Sequence, residues 1–298
     1  MSHQARAYGL GLTAVLCWST VAVAFKLALQ DLSPAQLLLL ASLTSTGVLG
    51  IILAVQGTLP KLRQLDQATW RTSILFGALN PFIYYLILFK AYALLPAQEA
   101  QAINYTWALS MSLLALPLLK HRLHTQDIMA ALLCYSGVLI IATRGHPGSF
   151  QFSNALGVGL ALLSTLIWAL YWILNTRDQR PPIVGLYLNF LCSLPLISVY
   201  CLFTGELYTL NWQGLPTALY VGVFEMGLTF VLWLNAMKYT QSTAKIANLI
   251  FLSPFLSLIF IRVFLGEAIL PSTLWGLALI LSGLGIQQLS KKKQAKHA

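Results

Sequence analysis

Charge is what this chain has little of. Of 298 residues only 9% are Asp, Glu, Lys or Arg and just 8 are acidic, while 58% are hydrophobic and mean hydropathy is +0.74. Soluble domains carry about 25% charged residues, so a water-soluble enzyme, a secreted disulfide scaffold and a disordered tail are all excluded. Cysteine is scarce too: Cys17, Cys134, Cys192 and Cys201 all fall in apolar runs, and none has metal-ligand spacing with another Cys or a His. They read as small apolar fillers, and no disulfide is expected. G-x-x-x-x-G-K-[ST], H-E-x-x-H and G-x-S-x-G segments are absent. ATP-driven pumping by this chain alone and membrane hydrolysis therefore have no visible chemistry. Neither an enzyme nor a bound cofactor or metal is expected.

What is present is a series of long apolar runs, each close to the roughly 20 residues that cross about 30 Å of hydrocarbon. Ten are expected: Tyr8–Leu29, Pro34–Val55, Trp70–Leu95, Gln98–Leu118, Asp127–Thr143, Asn154–Asn175, Ile183–Phe203, Gly214–Asn235, Ser242–Phe264 and Leu270–Leu289. Their length and continuity predict an all-α integral membrane protein and not a barrel, whose strands alternate over about ten residues. The first run holds Trp18 and Lys26 and lacks a small-x-small cleavage site. It is expected to remain as a span rather than to be a cleaved signal peptide.

Orientation follows from the basic residues. With the N-terminus inside, the inner segments hold all but four of the 18 Lys and Arg. The exceptions are Lys26, Lys90, Arg144 and Arg262, of which only Arg144 sits in a loop. Both termini are thus expected in the cytoplasm. A net charge of +10 then faces the anionic inner leaflet, and nucleic acid is not an expected partner. The expected partners are a small-molecule solute and the lipid bilayer, around a monomeric chain.

The chain also matches itself. A shift of 145 residues lays Gly77 on Gly222, Ala91 on Ala236, Ala102 on Ala247 and Ser112-Leu113 on Ser257-Leu258. One further residue lays Ser136-Gly137 on Ser282-Gly283. Five runs map on five, giving a first five-helix repeat over 1–145 and a second, with a basic tail, over 146–298. Because five is odd, the repeats must lie in the membrane with opposite topology, a recurrent device of secondary transporters.

Several polar groups fall inside the runs. Glu225 sits near the middle of the eighth, opposite Asn80 under the 145-residue shift. An intramembrane carboxylate is expensive and functional by default. It reads as a proton-titrating or amine-binding group, or else as a protonated acid bonded to a neighbouring helix. Lys90 and Arg262 lie near helix ends and read as snorkelling cations. Lys26 is either that or a cavity residue. Span four holds Asn104-Tyr105-Thr106-Trp107 after Glu99, and span six holds Trp168, Tyr171 and Trp172. Trp107 lies about ten residues into its run, too deep for an interfacial belt. Aromatics with Asn in a membrane cavity suit a flat or amphipathic solute, and core packing is the competing explanation. Pro81, Pro117, Pro195 and Pro254 read as kinks or hinges, and Ser42-x-x-x-Thr46-x-x-x-Gly50 as a packing stripe.

Together these residues are similar to a known family. Trp18-Ser19-Thr20 with Lys26, Ala91-Tyr92 leading into Leu94-Leu95-Pro96-Ala97, Gly227–Trp233, and Gly266-Glu267 resemble the ten-span drug/metabolite transporters of the EamA type. The resemblance covers essentially the whole chain. Glu99 followed by Asn104-Tyr105 and Trp107 looks like the bacterial aromatic amino acid exporters within that family, from which Glu225 departs. The resemblance implies a central cavity between the halves and a place in a bacterial inner membrane. Asn104, Tyr105 and Trp107 match that branch's span-four motif, and Trp168 stands where it has a sixth-span Trp. The expected function is export of small organic metabolites, amino acids or aromatic and amphipathic compounds, by alternating access. The expected substrate contacts are Asn80, Tyr84, Asn104, Tyr105, Trp107, Trp168, Tyr171 and Lys26, with Glu225 for proton coupling or the substrate amine. An exchanger of sugar-phosphates or nucleotide sugars is the alternative, needing cations such as Lys26 and Lys245 to converge. A membrane-embedded enzyme or a non-transporting assembly partner is the alternative of another class.

Overall fold

The structure, a computed structural model, describes residues 3–59, 64–119, 125–146, 148, 152–240, 246 and 248–297. Helix is the only extended regular structure among the described residues, with no strand. In hydrocarbon that choice is forced, because a helix satisfies its own backbone polar groups while an open strand does not.

The chain opens with α1 (His3–Asp31) and α2 (Pro34–Val55). Ser33 and Gln36 close a capping box at the start of α2, where Pro34 needs no hydrogen-bond partner. Next comes α3 (Gln67–Gly77), capped by Asp66, whose carboxylate accepts from the Thr69 N–H at 2.9 Å. Hydrogen bonds from the Thr69 side chain and backbone hold the Asp66 carboxyl below its ordinary range. A π-helical turn, Ala78–Ile83, then leads into α4 (Tyr84–Leu94). The middle of the chain comprises α5 (Ala97–Asn104), α6 (Trp107–Leu119), α7 (Thr125–Ala142), α8 (Ala155–Asn175) and α9 (Pro182–Phe203). It continues as α10 (Leu215–Tyr220), a second π-turn at Val221–Glu225, and α11 (Leu228–Tyr239). A 3-10 turn, Asn248–Leu252, precedes α12 (Ser253–Phe260), a third π-turn Ile261–Leu265 and α13 (Pro271–His297).

Seven stretches among the described residues are long and apolar enough to cross a membrane: His3–Asp31, Pro34–Val55, Gln67–Leu94, Ala155–Asn175, Pro182–Phe203, Trp212–Tyr239 and Asn248–Leu265. Two shorter apolar helices, Ile128–Ala142 and Pro271–Ile286, fall where the fifth and tenth runs were expected. The fourth run differs most from expectation. It is not one helix but two, α5 and α6, interrupted at Tyr105 and Thr106. The prolines also differ in effect. Pro81 lies in a π-turn beside Asn80, which leaves helical geometry at φ −144° and ψ 114°. Pro195 stays within unbroken α9. Pro254 falls in the first turn of α12, where a missing N–H costs nothing.

Two compact units form, and each draws on both halves of the sequence. One takes residues 1–89 and 179–265, the other 90–178 and 266–298. In the first, α1 packs on α11 and α12, while α2 and α3 pack on α9. In the second, α7 packs on α13, and α6 and α5 pack on α8.

Helices in lipid gain no hydrophobic advantage from meeting, so close backbone approach at small residues does the work. A Cβ at Gly77 would lie 2.3 Å from the Asn189 carbonyl oxygen of α9, and one at Gly222 would lie 2.5 Å from the Ala41 oxygen and 2.5 Å from the Thr44 Cβ of α2. Gly77 and Gly222 are 145 residues apart, and so are Thr44 and Asn189. The second unit repeats the pattern between α7 and α13. A Cβ at Gly137 would meet the Gly276 oxygen at 2.4 Å, and one at Gly283 the Ala130 oxygen at 2.8 Å. Here both members of the contact shift by 146 residues. Of the Ser42, Thr46 and Gly50 stripe, Gly50 lies against the Tyr187 ring of α9, and Ser42 and Thr46 are buried. Arg180 fastens α3 to α9: its guanidinium donates to Ser73 Oγ at 2.6 Å and Asn189 Oδ1 at 3.1 Å, and lies 5.4 Å from the Phe76 ring centre.

Gly77→Ala should therefore lower the thermal midpoint in detergent, by the equivalent of about 1–3 kcal/mol, because backbone must move. Gly47, on α2 with open space around it, is the control. Gly47→Ala should leave the midpoint unchanged or raise it. Equal effects of the two substitutions would show that the α3–α9 crossing tolerates a Cβ.

Candidate functional site

Two pairs of helix interruptions lie at related places in the two sequence halves. The π-turns Ala78–Ile83 and Val221–Glu225 stand in the third and eighth runs and overlap once shifted by 145 residues. The Tyr105–Thr106 break in the fourth run shifts onto the 3-10 turn Asn248–Leu252 in the ninth. Single π-turns inside α-helices occur frequently at functional sites. Paired discontinuous helices are where transporter sites are built.

In the first unit, the π-turn ending at Glu225 places this carboxylate, half-buried, where the Tyr85 hydroxyl donates to its Oε1 at 3.0 Å. Just beyond, Gly227 takes dihedrals of φ −116° and ψ −93° that are not helical. Side-chain hydroxyls bond to carbonyls around this break: Ser45 of α2 donates to the Met226 carbonyl at 2.9 Å, and Thr229 to that of Phe224. Rings extend from the carboxylate. Tyr84 and Tyr85 meet edge-on at 4.7 Å, Tyr85 and Phe89 lie 5.4 Å apart, and Phe89 meets Phe25 of α1 at 4.8 Å. Tyr220 and Phe224, on the π-turn side, are 4.6 Å apart, and Thr20 shares a 2.7 Å hydrogen bond with the Tyr220 hydroxyl. Trp18 packs on Phe230 and Trp233 of α11. Asn80 is 1% exposed, and its Oδ1 has no donor among the described residues.

In the second unit, polar rungs link the broken span four to α8. Asn104 Nδ2 donates to Ser164 Oγ at 3.2 Å, and Ser110 and Thr165 share a bond of 2.7 Å. Thr106, at the break, donates to the Ile103 carbonyl at 2.8 Å. Further along α8, Trp168 stacks on Tyr171 at 5.7 Å and meets Trp172 edge-on at 5.8 Å. The ends of this unit are tied by carboxylates. Glu99, fully buried in the first turn of α5, accepts from Arg144 Nε at 3.2 Å and from the Ser153 hydroxyl. Glu267 caps α5 by accepting from the Ala97 N–H at 3.0 Å, and Gln98 bonds to the Ala268 carbonyl and to Thr273. A carboxylate at a helix N-terminus also opposes the macrodipole.

The nine expected site residues thus divide between the units. Lys26, Asn80, Tyr84 and Glu225 belong to one; Asn104, Tyr105, Trp107, Trp168 and Tyr171 belong to the other. Trp168 and Tyr171 are in contact, and Tyr84 meets Tyr85, whose hydroxyl bonds Glu225. Sequence reasoning missed Tyr85, and also Ser110, Ser164 and Thr165. The signal for the last three was available, since hydroxyls facing across two apolar helices are common polar glue. Lys90 and Arg262 are exposed, as snorkelling requires, and Lys245 lies outside the described residues. Among the described residues no three His, Cys, Asp or Glu side chains gather to hold a metal.

The family model described as "EamA-like transporter family" matches residues 5–143 and again 155–286. The chain belongs to this family. It is an EamA-type transporter and an integral membrane protein. It is 25% identical to the uncharacterized transporter YvbV of Bacillus subtilis over 258 residues, 84% of this chain and 83% of that one. It is 29% identical to the aromatic amino acid exporter YddG of Ancylobacter novellus over 238 residues, 77% and 78% of the two chains. A solved crystal structure 24% identical in sequence superposes with a TM-score of 0.65, covering 97% of this chain and 98% of its own, which establishes a shared fold.

Glu267 caps α5 by accepting from its first amides, and Glu99 sits in the same turn. Arg144 is 53% exposed and Glu99 fully buried, so losing the arginine strands the acid with Ser153. Arg144→Ala should destabilise the EamA-type fold by about 1–3 kcal/mol. Combined with Glu99→Gln, it should cost markedly less than the sum of the single changes. A double-mutant cycle on thermal unfolding measures this, and strict additivity would show the pair to be uncoupled.

Proposed function

We propose that this EamA-type transporter is a ten-span secondary exporter of amino acids and related aromatic or amphipathic metabolites. It works by alternating access in a bacterial inner membrane, with both termini cytoplasmic. The carrying observation is that helix is interrupted at corresponding places in the two sequence halves, in spans three and eight and again in spans four and nine. Interrupted helices supply backbone groups and hinges at a substrate site, and corresponding interruptions are what inverted five-helix repeats over 1–145 and 146–298 would produce. The glycine contacts support the same division, since each crossing recurs with its partners exchanged between the halves, one moving forward and the other back by one repeat. Ten spans follow if α5 and α6 count as one broken crossing and the shorter apolar helices as two more. The basic inner segments then support cytoplasmic termini.

The substrate class rests on side chains. Trp107, Trp168 and Tyr171, with Asn104 and Tyr105, offer flat apolar faces beside amide and phenol groups in one unit. Asn80, Tyr84, Lys26 and Glu225 offer polar contacts in the other. This composition suits a small solute with an aromatic or aliphatic body and a charged head. The likeness to the aromatic amino acid exporter YddG, at 29% identity, supports it.

Purified protein in liposomes loaded with mixed amino acids should release phenylalanine, tryptophan or a few other neutral amino acids selectively. Trp107→Ala and Trp168→Ala should each cut the initial rate at least tenfold while leaving thermal stability within about 1 kcal/mol of the parent. Folded protein that releases no amino acid would overturn the substrate assignment. Release unaffected by both substitutions would overturn the assigned contacts.

A further inference from the structure

We propose that Gln98 is a positioning residue: its side-chain amide, held by Thr273 of α13, sets the direction of α5 and so places Asn104 and Tyr105 against the solute. The role rests on the transporter reading and belongs to a residue that acts only through those two contacts.

A two-turn helix needs outside help to hold a direction, because isolated helices shorter than about 12 residues are marginal. α5 has 8 residues, and regular helix is interrupted just beyond it at Tyr105 and Thr106. Its first turn is anchored instead. Gln98 is buried, and both polar atoms of its side chain are engaged. Oε1 accepts from the Thr273 hydroxyl at 2.8 Å and from the Leu270 N–H at 3.1 Å. Nε2 donates to the Ala268 carbonyl at 2.9 Å and to Glu267 Oε2 at 3.5 Å. These bonds use both lone pairs and both hydrogens of the amide, and Thr273 is itself fully buried. A buried polar network whose members are all satisfied is rigid. Glu99, the next residue, points about 100° further round the helix and is tied to Arg144 and Ser153. Anchors in two directions on one turn fix the axis of α5.

The other end of α5 carries the assigned contacts. Every residue from Ala97 to Ile103 is buried, whereas Asn104 and Tyr105 are half-buried. Asn104 lies six residues beyond Gln98, about 9 Å along the axis at 1.5 Å per residue. A tilt of about 10° at the anchored turn would carry Asn104 sideways by about 1.5 Å over that length. Misplacement by about 1 Å at a site can cost about a hundredfold in rate. The same movement would stretch the 3.2 Å bond from Asn104 Nδ2 to Ser164 Oγ.

Thr273→Val removes one donor to Gln98 at a residue assigned no contact with solute, and Thr273→Ser keeps that donor. In liposomes Thr273→Val should raise the KM for tryptophan by about fivefold or more, with the maximal rate within about twofold of the parent. Thr273→Ser should restore the parent KM. In an Asn104→Ala background Thr273→Val should raise KM by less than about twofold, because the displaced group is already gone. Amide exchange in nanodiscs needs no solute. The Tyr105 and Thr106 N–H groups bond to the Gln101 and Ile103 carbonyls at 3.1 and 3.0 Å. They should exchange about tenfold faster in Thr273→Val, with Ala155–Asn175 unchanged. Thr273→Ala, which removes the same donor with a smaller side chain, is read in parallel. A parent-like KM in both variants that lack the hydroxyl overturns the positioning role. So does faster exchange confined to the start of α13, or a Thr273→Ser protein that keeps the raised KM. A folded parent that releases no amino acid overturns the substrate reading instead, and exchange at Tyr105 and Thr106 then decides by itself whether Gln98 directs α5.

Discussion

A main chain surrounded by hydrocarbon must satisfy its own N–H and C=O groups, each costing several kcal/mol if left bare. Several departures from regular helix among the described residues answer that requirement. At the span-four break, the Thr106 hydroxyl returns to the Ile103 carbonyl. At the span-eight break, Thr229 serves the Phe224 carbonyl and Ser45 reaches across from α2 to that of Met226. At the start of α12, buried Ser253 accepts from Ser19 of α1 at 3.2 Å. Hydroxyl residues scattered through apolar runs are thus the means by which irregular backbone is tolerated at depth. Asn80 stands apart: its own geometry is broken, yet its amide oxygen is not engaged by any of these repairs.

The same requirement explains why glycine matters more here than apolar bulk. With lipid as solvent, Leu against Leu gains little over Leu against an acyl chain. Helices are held by backbones that approach within the radius of a missing Cβ. Gly77 on α9, Gly222 on α2, and Gly137 with Gly276 between α7 and α13 are such points. Two of these points sit at the interruptions themselves: Gly222 lies within the π-turn Val221–Glu225, and Gly77 directly precedes the turn Ala78–Ile83.

Much of this was legible in the sequence, and the rest was hidden for identifiable reasons. Apolar run length forecast helices from α1 to α13, and the 145-residue shift picked out Gly77 and Gly222 before their contacts were known. The π-turns left no such trace, since inserting one residue into a helical turn changes neither composition nor hydropathy. Pro81 marked one of them; nothing in Val221–Glu225 marked the other. Asn104-Tyr105-Thr106-Trp107 was legible as chemistry but not as a break, because an apolar sequence continues on both sides. Tyr84 and Tyr85 are adjacent and identical, and the face turned to Glu225 depends on how many residues the preceding turn contains. A regular helix and a π-turn give different answers, which is why Tyr85 emerged only with the structure.

The acids of this chain show why Glu225 is unlike its fellows. Glu99 has a guanidinium and a hydroxyl, Glu206 receives Ser33, and its backbone carbonyl receives Gln36. Glu267 receives the first amides of α5. Each of those three closes a helix end, where a negative charge is favoured by the macrodipole as well as by its donors. Their stabilisation is local and complete, so they are structural. Glu225 closes a π-turn in mid-span, at a C-terminal end whose dipole opposes a negative charge, and among the described residues it receives a single phenol. Nothing local repays its presence. Its single phenol donor leaves the other acceptor positions of the carboxylate open among the described residues.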